Sequence, residues 1–315
     1  MAVFLSSVSG VFIILVMVAI GYILNERGWF DEKSTRMISK LVTQIALPAY
    51  MVTTIMKDFT ANELKTLLPD LRYPVISMLI LFVFSLLITR TIHIKSEHKG
   101  LFQSMFFNSN TVFVGLPINL ALFGDRSLPY VLVYYMANTT FFWTLGVWLI
   151  QRDGMGSAKI NIIATLKKIF SPPLMGFVVG IIFVVLHIKL PSFIMSDLNY
   201  VGGLTIPMSM LFIGIAVSNA GISRLRIDRD ALGILFGRFI CAPVLMALLV
   251  LPSSMDTLMK QVFILQAAMP VMTNAPVVSK LYDADADYAA IMVTETTLLS
   301  IIVVPILMVI IKSLV

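Results

Sequence analysis

The chain has 315 residues, of which 58% are hydrophobic and only 13% charged, with a formal net charge of +6. Those proportions exclude a water-soluble domain of this size, and with no soluble face to carry the basic excess no nucleic-acid partner is expected. The single cysteine, Cys241, excludes an internal disulfide and a cysteine-based metal cluster.

Apolar runs of about 20 residues cross a bilayer. Taken in chain order they predict ten spans, near residues 4–24, 34–56, 71–92, 99–123, 128–150, 170–188, 197–219, 229–250, 257–281 and 288–311. The first run has no basic leader and no small-residue cleavage site, which predicts a mature helix and not a signal peptide. Loops after odd-numbered spans carry fourteen Lys and Arg residues, against seven in the loops after even-numbered spans and at the termini. By the positive-inside rule the odd loops face the cytoplasm and both termini lie outside, as a multi-pass protein of the cell inner (plasma) membrane. The longest polar connection, 151–169, reads as a cytoplasmic linker between two halves.

The halves repeat. Shifting the numbering by 159 places Pro117 on Pro276, Pro48 on Pro207, Gly21 on Gly180 and Gly115 on Asn274. Five spans per half is an odd number, so the second copy enters the membrane the opposite way up. The fold class expected is therefore an all-α integral membrane protein of ten transmembrane helices in two inverted five-helix repeats. Pro48 and Pro207 are expected to bend the second and seventh spans.

Two segments interrupt otherwise apolar spans: Asn110-Thr-Val-Phe-Val-Gly115-Leu-Pro117 in the fourth, and Pro270-Val-Met-Thr273-Asn274-Ala-Pro276 in the ninth. Proline removes a backbone N–H and clashes with the preceding turn, so a helix breaks there. The freed N–H and C=O groups must then be met by protein or by a wet cavity, since lipid offers them nothing. Asn108, Ser109, Asn110, Thr111, Thr273 and Asn274 supply hydrogen-bonding groups at the breaks, and no Asp or Glu lies in either. Corresponding breaks in two repeats mark a transporter's binding site, and donor-rich, acid-free ones suit an anionic or neutral solute. The competing reading is a pair of structural kinks healed by those side chains.

Arg238 stands near the middle of the eighth span, where an ionised residue is costly; it either meets a carboxylate or caps the carbonyls of the broken helices. Glu295 is the only acid well inside a span and is the candidate for proton coupling. Gln44, Gln266, Asn138, Thr139 and Thr140 read as hydrogen-bonding glue between helices. His93, His98 and His187 sit near span ends without ligand spacing, so no metal site and no cofactor are expected.

Asn110-Thr111 with Gly115-x-Pro117, Arg238-Phe239 with Pro243, and Gln266-Ala-Ala-x-Pro270 leading to Pro276 together resemble the auxin efflux carrier family, along nearly the whole chain. Bacterial members of that family include malate and malonate permeases, and plant members export auxin. The resemblance implies discontinuous fourth and ninth helices that cross near the midplane, with Asn110 matching the family's crossover asparagine. It implies scaffold helices in 1–56 and 170–219, transport-domain helices in 57–150 and 220–315 with the linker 151–169 between them, and a homodimer. The substrate-binding set expected is Asn110, Thr111, Asn108, Ser109, Gly115, Pro117, Thr273, Asn274, Pro276 and Arg238. The function expected is secondary transport of a small organic anion by alternating access: a dicarboxylate such as malate or malonate, or alternatively an aromatic or amphipathic carboxylate. Coupling to a proton or a sodium ion stays open, and a non-transporting receptor is the rival from another class. An intramembrane enzyme would need a nucleophile with a base at depth, which this sequence lacks.

Overall fold

The computed structural model describes residues 16–154, 170–220 and 228–314. The first part of the predicted first span and most of the predicted linker 151–169 lie outside the described residues. Among those described the chain is helical, apart from one antiparallel bridge between Ser109 and Val271.

The helices are α1 (Val16–Glu26), α2 (Glu32–Asp58) and α3 (Ala61–Thr91). The interrupted pair α4 (Lys99–Phe107) and α5 (Thr111–Phe123) follows, then α6, which runs Leu128–Phe141, Phe142–Gly146 and Val147–Gly154 without a break. The second half comprises α7 (Pro172–Val185), α8 (Ser192–Asn219, with one turn at Leu204) and α9 (Arg229–Val250). It closes with the second interrupted pair, α10 (Thr257–Ala267) and α11 (Ala275–Leu281), and with α12 (Ala286–Leu314). Five of these, α2, α3, α8, α9 and α12, are long and apolar enough to cross a membrane uninterrupted.

Helix α3 starts ten residues before the predicted 71. Thr60 and Glu63 form a capping box there, the Thr60 N–H donating to Glu63 Oε2 at 2.9 Å, so the helix is nucleated in polar residues that hydropathy does not register.

Three prolines leave the same local signature. Pro48, Pro117 and Pro243 each follow by two residues a five-residue π-helical stretch, at Val42–Ala46, Thr111–Gly115 and Gly237–Cys241. Widening the turn moves the carbonyl that the pyrrolidine ring would strike, and the helix survives its missing N–H. Pro48 thus distorts the second predicted span within a continuous helix, whereas the seventh turns at Leu204, three residues before Pro207.

Helices inside lipid gain from close van der Waals packing of small residues. A Cβ on Gly21 would overlap the Leu211 backbone and one on Gly214 the Val18 backbone, so α1 and α8 touch main chain to main chain. Gly176 and Gly202 let α7 and α8 approach Pro48 and Tyr50 of α2 in the same way. A separate set of contacts joins α4 to α6 through Gly100 and to α9 through Gly233 and Gly237.

A polar cluster ties this second set together at one end. His98 bonds Asp285 at 2.8 Å, lies 3.6 Å from Asp230 and stacks on Tyr288 with ring centroids 4.4 Å apart. Asp153 accepts from the Gly100 and Leu101 N–H groups at 2.8 and 2.7 Å, capping α4 from the end of α6.

Candidate functional site at the paired helix breaks

The two interruptions meet. Ser109 pairs with Val271, and the Asn110 N–H donates to the Pro270 carbonyl at 2.8 Å, so each break supplies part of the other's missing backbone partners. Side chains supply more. Asn138 of α6 brackets Ser109, its Oδ1 accepting from the Ser109 N–H and its Nδ2 donating to the Ser109 carbonyl, both at 2.8 Å. On the other side Thr296 of α12 accepts from the Val271 N–H at 3.0 Å. Each break is thus stitched to the last helix of its own half.

Arg238 lies behind this junction and is fully buried. Its Nε donates to the Met269 carbonyl at 3.1 Å, Nη1 to the Phe106 carbonyl at 3.1 Å, and Nη2 to the Ala267 carbonyl. The Phe106 and Ala267 carbonyls belong to the final turns of α4 and α10, where intrahelical partners run out and the helix dipole is negative, and the Met269 carbonyl lies in the break two residues past α10. The guanidinium therefore gathers two broken ends at once. Gln266 adds a tie, donating from Nε2 to the Thr111 carbonyl at 3.3 Å, and Gly115 is glycine because a Cβ would overlap that glutamine.

Asn110 carries the junction's spare donor. Its Oδ1 accepts from the Phe113 N–H at 3.2 Å and so caps α5, which leaves Nδ2 as the free end of the amide; Nδ2 is buried without a partner, the residue being 2% exposed. It borders a cavity of about 290 Å³ whose other walls include Phe113, Phe212, Thr273, Thr294 and Thr297. No charged side chain lines it among the described residues. A wider cavity of about 510 Å³, bordered by Phe30, Asp31, Arg36 and Asn274, shares Phe113, Phe212, Asn219 and Thr273 with the first. The deep cavity therefore opens toward the turn between α1 and α2. The deep cavity has room for a small solute, is bordered by Asn110 and by three threonines, and presents neither acid nor base, whereas Asp31, Glu32 and Arg36 border the wider opening.

The predicted site residues divide between wall and support. Asn110, Thr273 and Pro276 border the deep cavity and Asn274 the wider one. Asn108, Ser109, Thr111, Gly115, Pro117 and Arg238 are buried around the breaks and border neither. Glu295 is buried on α12 and is off the wall, while Thr294 and Thr297 beside it are on it. Sequence reasoning missed Phe113, Phe212, Asn219, Thr294 and Thr297 as wall residues. Only Phe212 and Asn219, seven residues apart and hence on one helix face, left a trace in the pattern. Among the described residues no group of three His, Cys, Asp or Glu side chains is placed to hold a metal ion.

Residues 6–308 match the model of a family described as membrane transport protein. The chain is similar to an uncharacterised transporter of Methanocaldococcus jannaschii, 28% identical over 307 residues that cover 93% of this chain and 95% of that one. It is also similar to an uncharacterised transporter of Methanothermobacter thermautotrophicus, 24% identical over 316 residues, covering 96% of this chain and 98% of the other. With a match that runs over nearly its whole length, and with apolar helices that carry paired breaks around a cavity, the chain belongs to this membrane transport family, the auxin efflux carrier family.

Proposed function

We propose that the protein is a secondary carrier of a small organic anion, operating by alternating access around the paired breaks. The observation that carries the reading is the unspent Asn110 Nδ2 donor on the wall of a cavity at the meeting point of the two interrupted helices. A carboxylate supplies the acceptor that this buried donor lacks, and the N-terminal end of α5 adds partial positive charge without a counter-ion. Arg238 acts here as a positioning residue, holding the ends of α4 and α10 and so the geometry of the site.

The arrangement fits two inverted five-helix repeats whose fourth and ninth spans are discontinuous. The close contacts of α1, α2, α7 and α8 are those of a scaffold, and those joining α4, α6 and α9 are those of a moving unit. Positive-inside bias sets the turn between α1 and α2 in the cytoplasm, so the cavity is open inward. A dicarboxylate such as malate is the solute that the family resemblance implies. The second reading is a monocarboxylate with an apolar body, which Phe113, Phe212, Val114 and Val293 on the wall favour.

The test is uptake of labelled malate into proteoliposomes, with and without an imposed pH gradient, for wild type and Asn110→Ala. Flux that the substitution abolishes supports the carrier and its site, and dependence on the gradient brings Glu295 forward as the coupling group. Binding without flux in sealed vesicles would instead make the protein a receptor.

A further inference from the structure

The mouth of the cavity carries a second amide whose orientation is fixed by a chain of hydrogen bonds. Glu26 at the end of α1 accepts from the Ser218 hydroxyl at 2.6 Å. A carboxylate only accepts, so Ser218 spends its proton there and must itself accept from Asn25 Nδ2, 2.7 Å away. That settles which way the Asn25 amide faces. Its second N–H donates to Asn219 Oδ1 at 2.8 Å, which fixes the Asn219 oxygen on the Asn25 side. That leaves the Asn219 Nδ2 group, a donor, on the far side of the amide from Asn25, on an exposed residue at the mouth of the cavity. Amide orientations are otherwise ambiguous by a half turn; here an anionic end group removes the ambiguity.

Asn219 borders both the deep cavity and the wider opening, whereas Asn110 borders the deep one alone. The two asparagines thus stand at different depths along one route. In each the oxygen accepts from a neighbouring N–H, which turns the NH₂ group away from that neighbour; that of Asn110 is buried without a partner and that of Asn219 belongs to an exposed residue. The wall they share is otherwise largely apolar, with Phe113 and Phe212 in contact at 5.3 Å between ring centroids. They lie on different helix groups, α5 and α8.

We infer that Asn219 is a second substrate-contacting residue, held donor-outward by Asn25 as its positioning residue, and that it selects an acid with acceptor groups at both ends and an apolar middle. This rests on the carrier reading above and chooses between its two solutes: Asn110 takes one carboxylate, Asn219 the other, and the aromatic pair covers the carbon chain between them. A solute bridging α5 and α8 also links the two helix groups that alternating access moves apart.

Succinate and butyrate test the inference, because they share a four-carbon chain and differ in one terminal carboxylate. Binding of each to the purified full-length protein is measured by titration calorimetry for wild type, Asn219→Ala, Asn25→Ala and Asn110→Ala. Wild type binds succinate roughly tenfold to a hundredfold tighter, the range of a hydrogen bond to a charged group. In Asn219→Ala that ratio falls to about one or below, with butyrate affinity held within about twofold. Asn25→Ala lowers the ratio without removing any wall residue, because the Asn219 amide is then free to turn. Asn110→Ala weakens both acids. A succinate-to-butyrate ratio unchanged in Asn219→Ala, with both acids still lost in Asn110→Ala, overturns the Asn219 contact and leaves the carrier standing. Wild type that prefers butyrate also overturns it, and wild type that binds neither acid overturns both readings.

Discussion

Replacing Arg238 by glutamine separates a support from a ligand. The guanidinium is fully buried and its three nitrogens donate to the carbonyls of Phe106, Ala267 and Met269. Glutamine reaches one of those carbonyls at most, so at least two lose their partner in a place that water does not fill. An unsatisfied buried acceptor costs about 1–3 kcal/mol in soluble proteins. Hydrogen bonds between helices in membranes average nearer ~0.6 kcal/mol, and removing a buried cation returns part of its desolvation cost. The expected loss is therefore about 1–4 kcal/mol, a large share of a typical stability of about 5–15 kcal/mol. Thermal unfolding of the detergent-solubilised protein, followed by tryptophan fluorescence, reads that loss as a transition several degrees lower. Succinate affinity is measured below the transition, where the folded fraction is intact, and it should fall by less than the roughly tenfold that a lost carboxylate contact costs. A variant as stable as wild type that binds succinate tenfold more weakly would refute the clamp and make Arg238 a substrate ligand.

Further consequences are open to the same assays. Asn138→Ala strands the Ser109 N–H and carbonyl and should cost about 1–3 kcal/mol, with loss of malate uptake, whereas Asn138→Asp keeps the acceptor and should cost less. Gly115→Ala drives a methyl into the Gln266 side chain and should destabilise by about 1–3 kcal/mol; full stability would show that the contact yields. Asn110→Asp keeps the oxygen that caps α5 but replaces the spare donor with a negative charge, so anion uptake should vanish while the cap is retained, and the unpaired buried charge should lower the melting temperature. Burial raises the Asp285 carboxyl, but the Tyr288 N–H and the His98 hydrogen bond and charge outweigh it and hold it below its ordinary value. A depressed acid stabilises the fold above its unfolded pKa and is lost as pH falls through the folded one, so melting temperature should drop on acidification below about pH 4, and less steeply in Asp285→Asn.

Much of the architecture was legible before any coordinates. Run lengths near 20 residues pointed to apolar helices because lipid imposes a thickness on any helix that crosses it, and among the described residues five helices are long and apolar enough to cross uninterrupted. Proline at 117 and 276 pointed to the interrupted spans, but the breaks lie at 108–110 and 268–274, because a π-helical stretch carries α5 through Pro117 and Pro276 fits the first turn of α11. The start of α3 was not legible, since Thr60 and Glu63 extend the helix with a local cap in residues too polar for hydropathy to count. Depth in an apolar span singled out Arg238 as an expensive group, and the break in the fourth span together with the family resemblance singled out Asn110. The sequence left undecided whether Arg238 meets a solute or a carbonyl. Phe106 is 132 positions from Arg238, and Asn25 is 194 from Asn219. Hydrogen-bond partners so far apart come together only when the helices pack. Tertiary structure therefore decided that the Arg238 donors are spent on carbonyls while the Asn110 Nδ2 is not, because a donor is available to a solute only when nothing else in the folded chain has taken it.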